Sequence, residues 1–349
     1  MARILFLAIA VVGITCGDIA TAQESPPVSG LHENVTFSSY PPLARNSELL
    51  SRVFTPLTLA GIKREFAQTG KTLGETSVDL AVEKFLVYVP PAKPPGGYRL
   101  MVFVPPWQKA QLPQGWGPVL DQFGMIFVTP AKSGNEEDII SRREPLAVIA
   151  AQNVMAQYPV DPGQVYVGGM SGGARMALRL ALAYPDLFHG ALLNSGSDVI
   201  GTIYEPLPSA SLFRQFQTGT RLLYVTGDHD AANVESETRS KRAMQDWCVS
   251  DIASIRMPFT GHEVATPAIL TRALQTLVQP DRPDPERLAS CRAAIESGVA
   301  DGLSKADALI ASGKRADAQK TVKDIDAKYG GLAAPHSIEL DTILTRIQP

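Results

Sequence analysis

The stretch Val165-Tyr166-Val167-Gly168-Gly169-Met170-Ser171-Gly172-Gly173-Ala174 decides how the rest of the chain is read. An apolar, β-branched run leads into a G-x-S-x-G turn made of Gly169, Met170, Ser171, Gly172 and Gly173. Residues 172–183 then have helical spacing until Tyr184-Pro185 stops them. A serine between a strand and a helix sits on a tight turn, with its hydroxyl above the C-terminal edge of a sheet. Glycines flank it because side chains there would strike the neighbouring strand and helix. The helix start also aims free N–H groups and the positive end of its dipole at charge developing beside the serine. The pattern predicts Ser171 as a nucleophile; the plain alternative is a glycine-rich turn with no chemistry.

Outward from this turn the chain alternates. Strands are predicted over 82–89, 99–104 and 125–129, then a helix over 144–157, and Asp161-Pro162-Gly163 turns the chain into the strand before Ser171. Downstream, strands over 191–193, 222–225 and 254–257 alternate with helices near 237–247 and over 267–278. Such alternation predicts a mostly parallel sheet with helices on both faces.

The flanks differ in character. Residues 23–45 are rich in Pro, Ser and Gly and read as an extended leader, followed by one helix from Asn46 or Ser47 through Phe66 to a stop at Gly70. Beyond Pro280 a polar linker, Asp281 to Pro285, precedes an Ala-rich region without strand signals, broken at Gly313 and Gly330-Gly331. Two or three helices are expected there, loosely like a single tetratricopeptide-type unit. The expected division is 1–22 signal peptide, 23–80 leader and helix, 81–280 catalytic domain and 281–349 helical module, the last offering a surface for protein contact.

With 45% hydrophobic and 19% charged residues over 349 positions and a net charge of −3, the chain has globular composition and no basic footprint for nucleic acid. Arg3, the apolar run Ile4 to Ile14 and Ala20-Thr21-Ala22 form a signal-peptide pattern with cleavage after Ala22. That predicts a periplasmic or extracellular protein; the apolar run is too short for a comfortable membrane span, so no stable anchor is expected after cleavage. Cys16 falls in the discarded peptide. Cys248 and Cys291 remain, and in an oxidising compartment they are expected to form one disulfide; two buried free thiols are the alternative. No CxxC, HExxH or His/Cys cluster occurs, so no metal is expected.

Three segments together resemble a known group: Tyr158-Pro159-Val160-Asp161-Pro162, then the turn around Ser171, then Tyr184-Pro185-Asp186-Leu187-Phe188. They resemble the secreted esterases grouped with poly(3-hydroxybutyrate) depolymerases and feruloyl esterases. The likeness runs over roughly residues 97–278 and is strongest between Phe123 and Gly201. It implies an α/β-hydrolase fold, hydrolysis of a small-molecule or polymeric ester, and no cofactor.

A serine hydroxyl needs an imidazole to take its proton. Of the five histidines, His262 lies in a loop between a strand and the last helix of the domain, where this fold places its base. His32, His189, His229 and His336 stand in less suitable settings. The acid candidates are Asp230, Asp228 and Asp198, each following a strand, and the spacing Gly227-x-x-Asp within the group favours Asp230. The oxyanion hole is expected from the N–H of Gly172 and from the loop after strand 99–104. There the chain departs from its relatives, which carry His-Gly: Pro105-Pro106 have no N–H, leaving Trp107 or Gln108 as donor. Trp107 and Trp116 either line an acyl pocket or pack beneath a loop. Ser133-Gly134-Asn135 and Arg142-Arg143 follow strand 125–129 on a segment expected to border the cleft, where Arg142 either engages an anionic substrate group or pairs with nearby acids such as Glu136 and Glu137. Two further readings stay open: a peptidase of the same fold, and a hydrolase-fold binding or scaffold protein that has lost activity.

Overall fold

The computed structural model describes residues 28–279 and 284–346, so the signal-peptide pattern and most of the linker lie outside the described residues. Strands β1 (Gly30–Val35), β2 (Phe85–Val89), β3 (Tyr98–Val104), β4 (Met125–Pro130), β5 (Val160–Met170), β6 (Gly190–Asn194), β7 (Arg221–Gly227) and β8 (Ile252–Met257) form one eight-stranded sheet. Their order is β1-β2-β4-β3-β5-β6-β7-β8. The β1–β2 and β2–β4 pairs are antiparallel, and every other neighbouring pair is parallel. This is the α/β-hydrolase arrangement.

Central parallel strands are buried on both faces, which is why they read as continuous apolar runs. Along β3, Leu100, Val102 and Val104 enter one core while Met101 and Phe103 enter the other. The first core receives Leu49 and Val53 of α1 (Asn46–Val53), α4 (Glu144–Gln157), α5 (Gly172–Ala183) and the Phe213/Phe216 pair of α6 (Ala210–Gly219). The second is covered by α3 (Trp116–Phe123) and α8 (Pro267–Leu277). Helix α7 (Ala231–Asp246) runs between β7 and β8.

Several boundaries differ from the sequence reading. The leader contributes β1, an edge strand none of whose residues is buried, so no apolar alternation announces it and only pairing with β2 specifies it. The single helix expected over 46–66 is two, α1 and α2 (Pro56–Thr69). The break falls where Thr55 Oγ1 accepts from the Thr58 N–H and Pro56 takes the first helical position, both helix-starting features. Helices α3 and α6 are not among the elements read from the sequence; α3 starts from a left-handed Gly115.

The C-terminal region forms α9 (Pro285–Ala311), α10 (Arg315–Tyr329) and α11 (His336–Arg346). Asp284 caps α9 by accepting from the N–H groups of Glu286 and Arg287. Leu303, Ala306, Val322, Ile325, Leu340 and Leu344 make a separate small core, and Leu57 of α2 packs onto it. The Leu57 N–H donates to Asp326 (3.0 Å), and Arg64 pairs with Asp341 (2.8 Å). The N-terminal helix α2 thereby completes a bundle built from the far end of the chain. A Cys248–Cys291 disulfide (Cα–Cα 5.9 Å) fastens α9 to the end of α7.

Candidate active site

Ser171 sits on the β5–α5 turn with φ 56° and ψ −122°, a conformation that non-glycine residues avoid. Surrounding bonds hold it there. Its N–H donates to the Asn194 carbonyl (2.8 Å), and its own carbonyl accepts from the Ala174 N–H (3.0 Å). The flanking glycines answer to close approaches. A β-carbon on Gly169 would lie 2.2 Å from the Gly173 carbonyl oxygen, and one on Gly173 only 2.0 Å from that of Val104. The turn is thereby seated directly against the end of β3.

Two strands across from β5, the loop after β7 carries Asp228 and Asp230, and the loop after β8 carries His262. His262 Nδ1 lies 2.7 Å from Asp230 Oδ2, the geometry of an Nδ1–H donated to the carboxylate. Asn233 Nδ2 donates to both Asp230 oxygens (2.9 and 2.8 Å) from the first turn of α7. Burial works to raise the Asp230 pKa, but the bonds from His262 and Asn233 outweigh it and hold the carboxyl below its ordinary value. Asp230 is buried while 44% of the His262 side chain is exposed, which leaves the imidazole within reach of a ligand.

The other acid candidates are engaged elsewhere. Asp228 accepts from the N–H groups of Phe259 (3.0 Å) and Thr260 (3.1 Å), pinning the loop that leads to His262, and these bonds hold its pKa low. Asp198 pairs with Arg175 at 2.7 Å. Among the described residues, Ser171 Oγ and His262 Nε2 make no hydrogen bond with each other.

Asn194 was not singled out from the sequence, although a polar residue closing the apolar run Leu192-Leu193 was the available signal. It is fully buried. Its carbonyl takes the Ser171 N–H, its Nδ2 donates to the carbonyls of Val225 (3.2 Å) and Glu263 (3.0 Å), and its Oδ1 accepts from the Ala265 N–H (2.7 Å). Through its backbone carbonyl on one side and its side chain on the other, this one residue touches both the serine turn and the loop that carries His262. Trp116 supports the same loop from inside the core, donating its indole N–H to the Ala265 carbonyl (2.9 Å) and packing edge-on against Phe103 and Phe127. It is a buried packing residue and lines no acyl pocket.

On the other side of Ser171, Gly172 opens α5, so its N–H has no acceptor within the helix. The loop after β3 contributes neither N–H from Pro105 nor from Pro106. The Trp107 N–H has no partner among the described residues, and its ring packs toward Phe103 with centroids 6.3 Å apart. Arg142 makes a bidentate pair with Glu83 (2.8 and 2.7 Å), so it is committed to structure. Among the described residues no group of His, Cys, Asp and Glu is arranged to hold a metal ion, and no helix is long and apolar enough to cross a membrane.

A mostly parallel eight-stranded sheet, a strained serine on the β5–α5 turn and an Asp–His pair on the loops after β7 and β8 define an α/β-hydrolase. Within that class, residues 136–253 match the model of the family described as esterase PHB depolymerase, a span that includes Ser171, Asn194 and Asp230. A poly(3-hydroxybutyrate) depolymerase of Ralstonia pickettii is 30% identical over 95 residues, covering 23% of this chain. The chain spans only 20% of that relative's length. Among solved structures, a ferulic acid esterase aligns over 56% of this chain and 90% of its own, with 17% identity and a TM-score of 0.41. The S-formylglutathione hydrolase of Staphylococcus aureus aligns over 56% and 93%, with 12% identity and a TM-score of 0.44.

Proposed function

We propose that this chain is an exported serine hydrolase that cleaves carboxylic esters through Ser171, His262 and Asp230. The observation that carries the reading is the coupling at Asn194: a serine held in a strained turn shares one buried residue with the loop bearing an aspartate-bonded histidine. The family match over 136–253 supports an ester as substrate.

In this reading His262 Nε2 takes the proton as Ser171 Oγ attacks the ester carbonyl. Asp230 keeps the Nδ1–H tautomer and stabilises the imidazolium that forms. The tetrahedral oxyanion receives the Gly172 N–H at the start of α5, where the helix dipole also favours negative charge. Collapse breaks the C–O bond, and His262 returns the proton to the departing alcohol. Water, deprotonated by the same imidazole, then attacks the acyl-Ser171 ester and frees the acid. The pattern at Ala20-Thr21-Ala22 and the Cys248–Cys291 disulfide support export to an oxidising compartment.

The test compares p-nitrophenyl esters with peptide p-nitroanilides on purified protein and on Ser171→Ala. Ester turnover that falls by about 10⁴ to 10⁶ in the variant is expected. Faster turnover of the anilides would move the chain to the peptidase reading, and equal turnover by Ser171→Ala would remove the serine from the mechanism.

A further inference from the structure

The turn at Ser171 supplies one backbone donor to an oxyanion, and two prolines occupy the place from which a second would come. What the fold lays over that place is the segment Ser133-Gly134-Asn135. The Asn135 N–H donates to the Pro106 carbonyl (3.1 Å), and the Lys132 N–H donates to the Gln108 carbonyl (2.7 Å), so the segment is laced to the proline loop from both ends. Gly134 permits this contact, since a β-carbon there would lie 2.9 Å from the Trp107 carbonyl carbon. The lacing brings the Asn135 carboxamide onto Gly172: a β-carbon on Gly172 would lie 2.2 Å from Asn135 Oδ1 and 3.2 Å from Nδ2.

Arg143 fixes which end of that carboxamide is free. Its guanidinium is buried, makes no ion pair with a carboxylate among the described residues, and spends its donors on oxygens around the loop. Nε donates to the Ser133 carbonyl (3.0 Å), and Nη2 donates to the Pro105 carbonyl (3.1 Å) with Asn135 Oδ1 at 3.5 Å. A cationic donor beside the carboxamide oxygen leaves the NH₂ end as the free pole. That end has no hydrogen-bond partner among the described residues.

We propose that the side-chain NH₂ of Asn135 is the second donor of the oxyanion hole, held in place by Arg143 and acting beside the Gly172 N–H. The inference rests on the serine-hydrolase reading above. It explains how the chain dispenses with the loop donor: a side-chain amide on a neighbouring segment stands in for the N–H groups that Pro105 and Pro106 lack. The Trp107 N–H is the rival donor.

The test measures ester turnover, inhibition by a substrate-like trifluoromethyl ketone, and thermal stability in Asn135→Ala and Asn135→Asp. Asn135→Ala is expected to lower kcat by about 10² to 10³-fold with little change in KM, because the contact forms with the oxyanion and not with the ground-state carbonyl. Affinity for the trifluoromethyl ketone, whose serine adduct carries the same oxyanion, should fall by a similar factor while Tm holds. Asn135→Asp should lose at least as much, since it replaces a donor with a charge that repels the oxyanion. Wild-type protein that turns over esters, with Asn135→Ala keeping more than a third of its kcat, would overturn the assignment in favour of Trp107. Wild-type protein that neither turns over esters nor forms the ketone adduct would overturn both this proposal and the reading beneath it.

Discussion

Two ionic clusters in this molecule look alike in a list of residues and differ in what they do. On α5, Arg179 is bonded to Glu144 and to the Tyr204 carbonyl, donates to the Val53 carbonyl (3.0 Å), and lies 3.4 Å from Glu205. All three ionisable side chains are buried. Burial pushes the Glu205 carboxyl up to about 8 despite Arg179, and it raises Glu144 as well. At the ends of β7 and β8, Asp230 is held low by its partners and His262 stands half-open. The more strongly displaced carboxyl therefore belongs to a joint that fastens α1 and the β6–α6 loop to α4 and α5. Perturbed acids often mark active sites. On the proposed reading, position at the ends of the sheet strands is the better guide, and the displaced pKa belongs to architecture.

The largest effect that tests this contrast is chemical. Asp230→Asn is expected to lower kcat by about 10⁴ with Tm nearly unchanged, because the imidazole loses both its orientation and its counter-charge. Arg179→Met should do the reverse. Removing one partner from a buried cluster costs about 3–5 kcal/mol, read as a lower denaturation midpoint, while the kcat of the folded fraction holds. A large kcat loss at full stability in Arg179→Met would erase the distinction between the clusters.

Smaller effects sharpen it. Reducing the Cys248–Cys291 disulfide, which closes a loop of sequence separation 43, should cost about 2–4 kcal/mol of stability without altering ester kinetics. The raised Glu205 pKa carries a sign. Folded protein keeps a proton on this group between its ordinary 4.5 and about 8, where the unfolded chain has lost it. Its stabilising contribution is therefore full below pH 4.5 and is lost as pH rises toward 8. Thermal melts from pH 5 to 8 should show Tm falling by a few degrees, roughly, and Glu205→Gln should flatten that slope. Smallest of all, Asp198→Asn and Asp228→Asn should each change kcat by about threefold or less, as their carboxylates serve Arg175 and the loop backbone.

What was legible in the sequence follows from where the signals are local. Helices 144–157 and 172–183 carry helical spacing and their own stops, and the central parallel strands carry apolar runs; these elements appear where they are expected, although β5 also takes in Asp161-Pro162-Gly163, expected as a turn. β1 was not legible because its pairing with β2 is tertiary, and the α1–α2 break was missed although Thr55-Pro56 announces it. At the proposed site, the turn that carries Ser171 and the pairing of His262 with Asp230 were legible from motif and order along the chain. Asn194 could not, since it joins segments far apart in sequence, 171, 194 and 265; the segment 133–135 could be set beside the cleft, but not the contacts of Asn135 with 106 and 172. The neighbouring arginines show the same limit. Nothing in their order tells that Arg142 goes to Glu83 while Arg143 goes to the proline loop.

The nucleophile is tested most directly by covalent labelling of the folded protein with a fluorophosphonate, read by intact mass and peptide mapping. One adduct per chain is expected, on the peptide containing Gly169-Met170-Ser171-Gly172-Gly173, and none in Ser171→Ala. Slow labelling is expected in Asp230→Asn, whose serine remains but whose base is misdirected. An unlabelled wild-type protein, or an adduct that persists in Ser171→Ala, would contradict the assignment of Ser171.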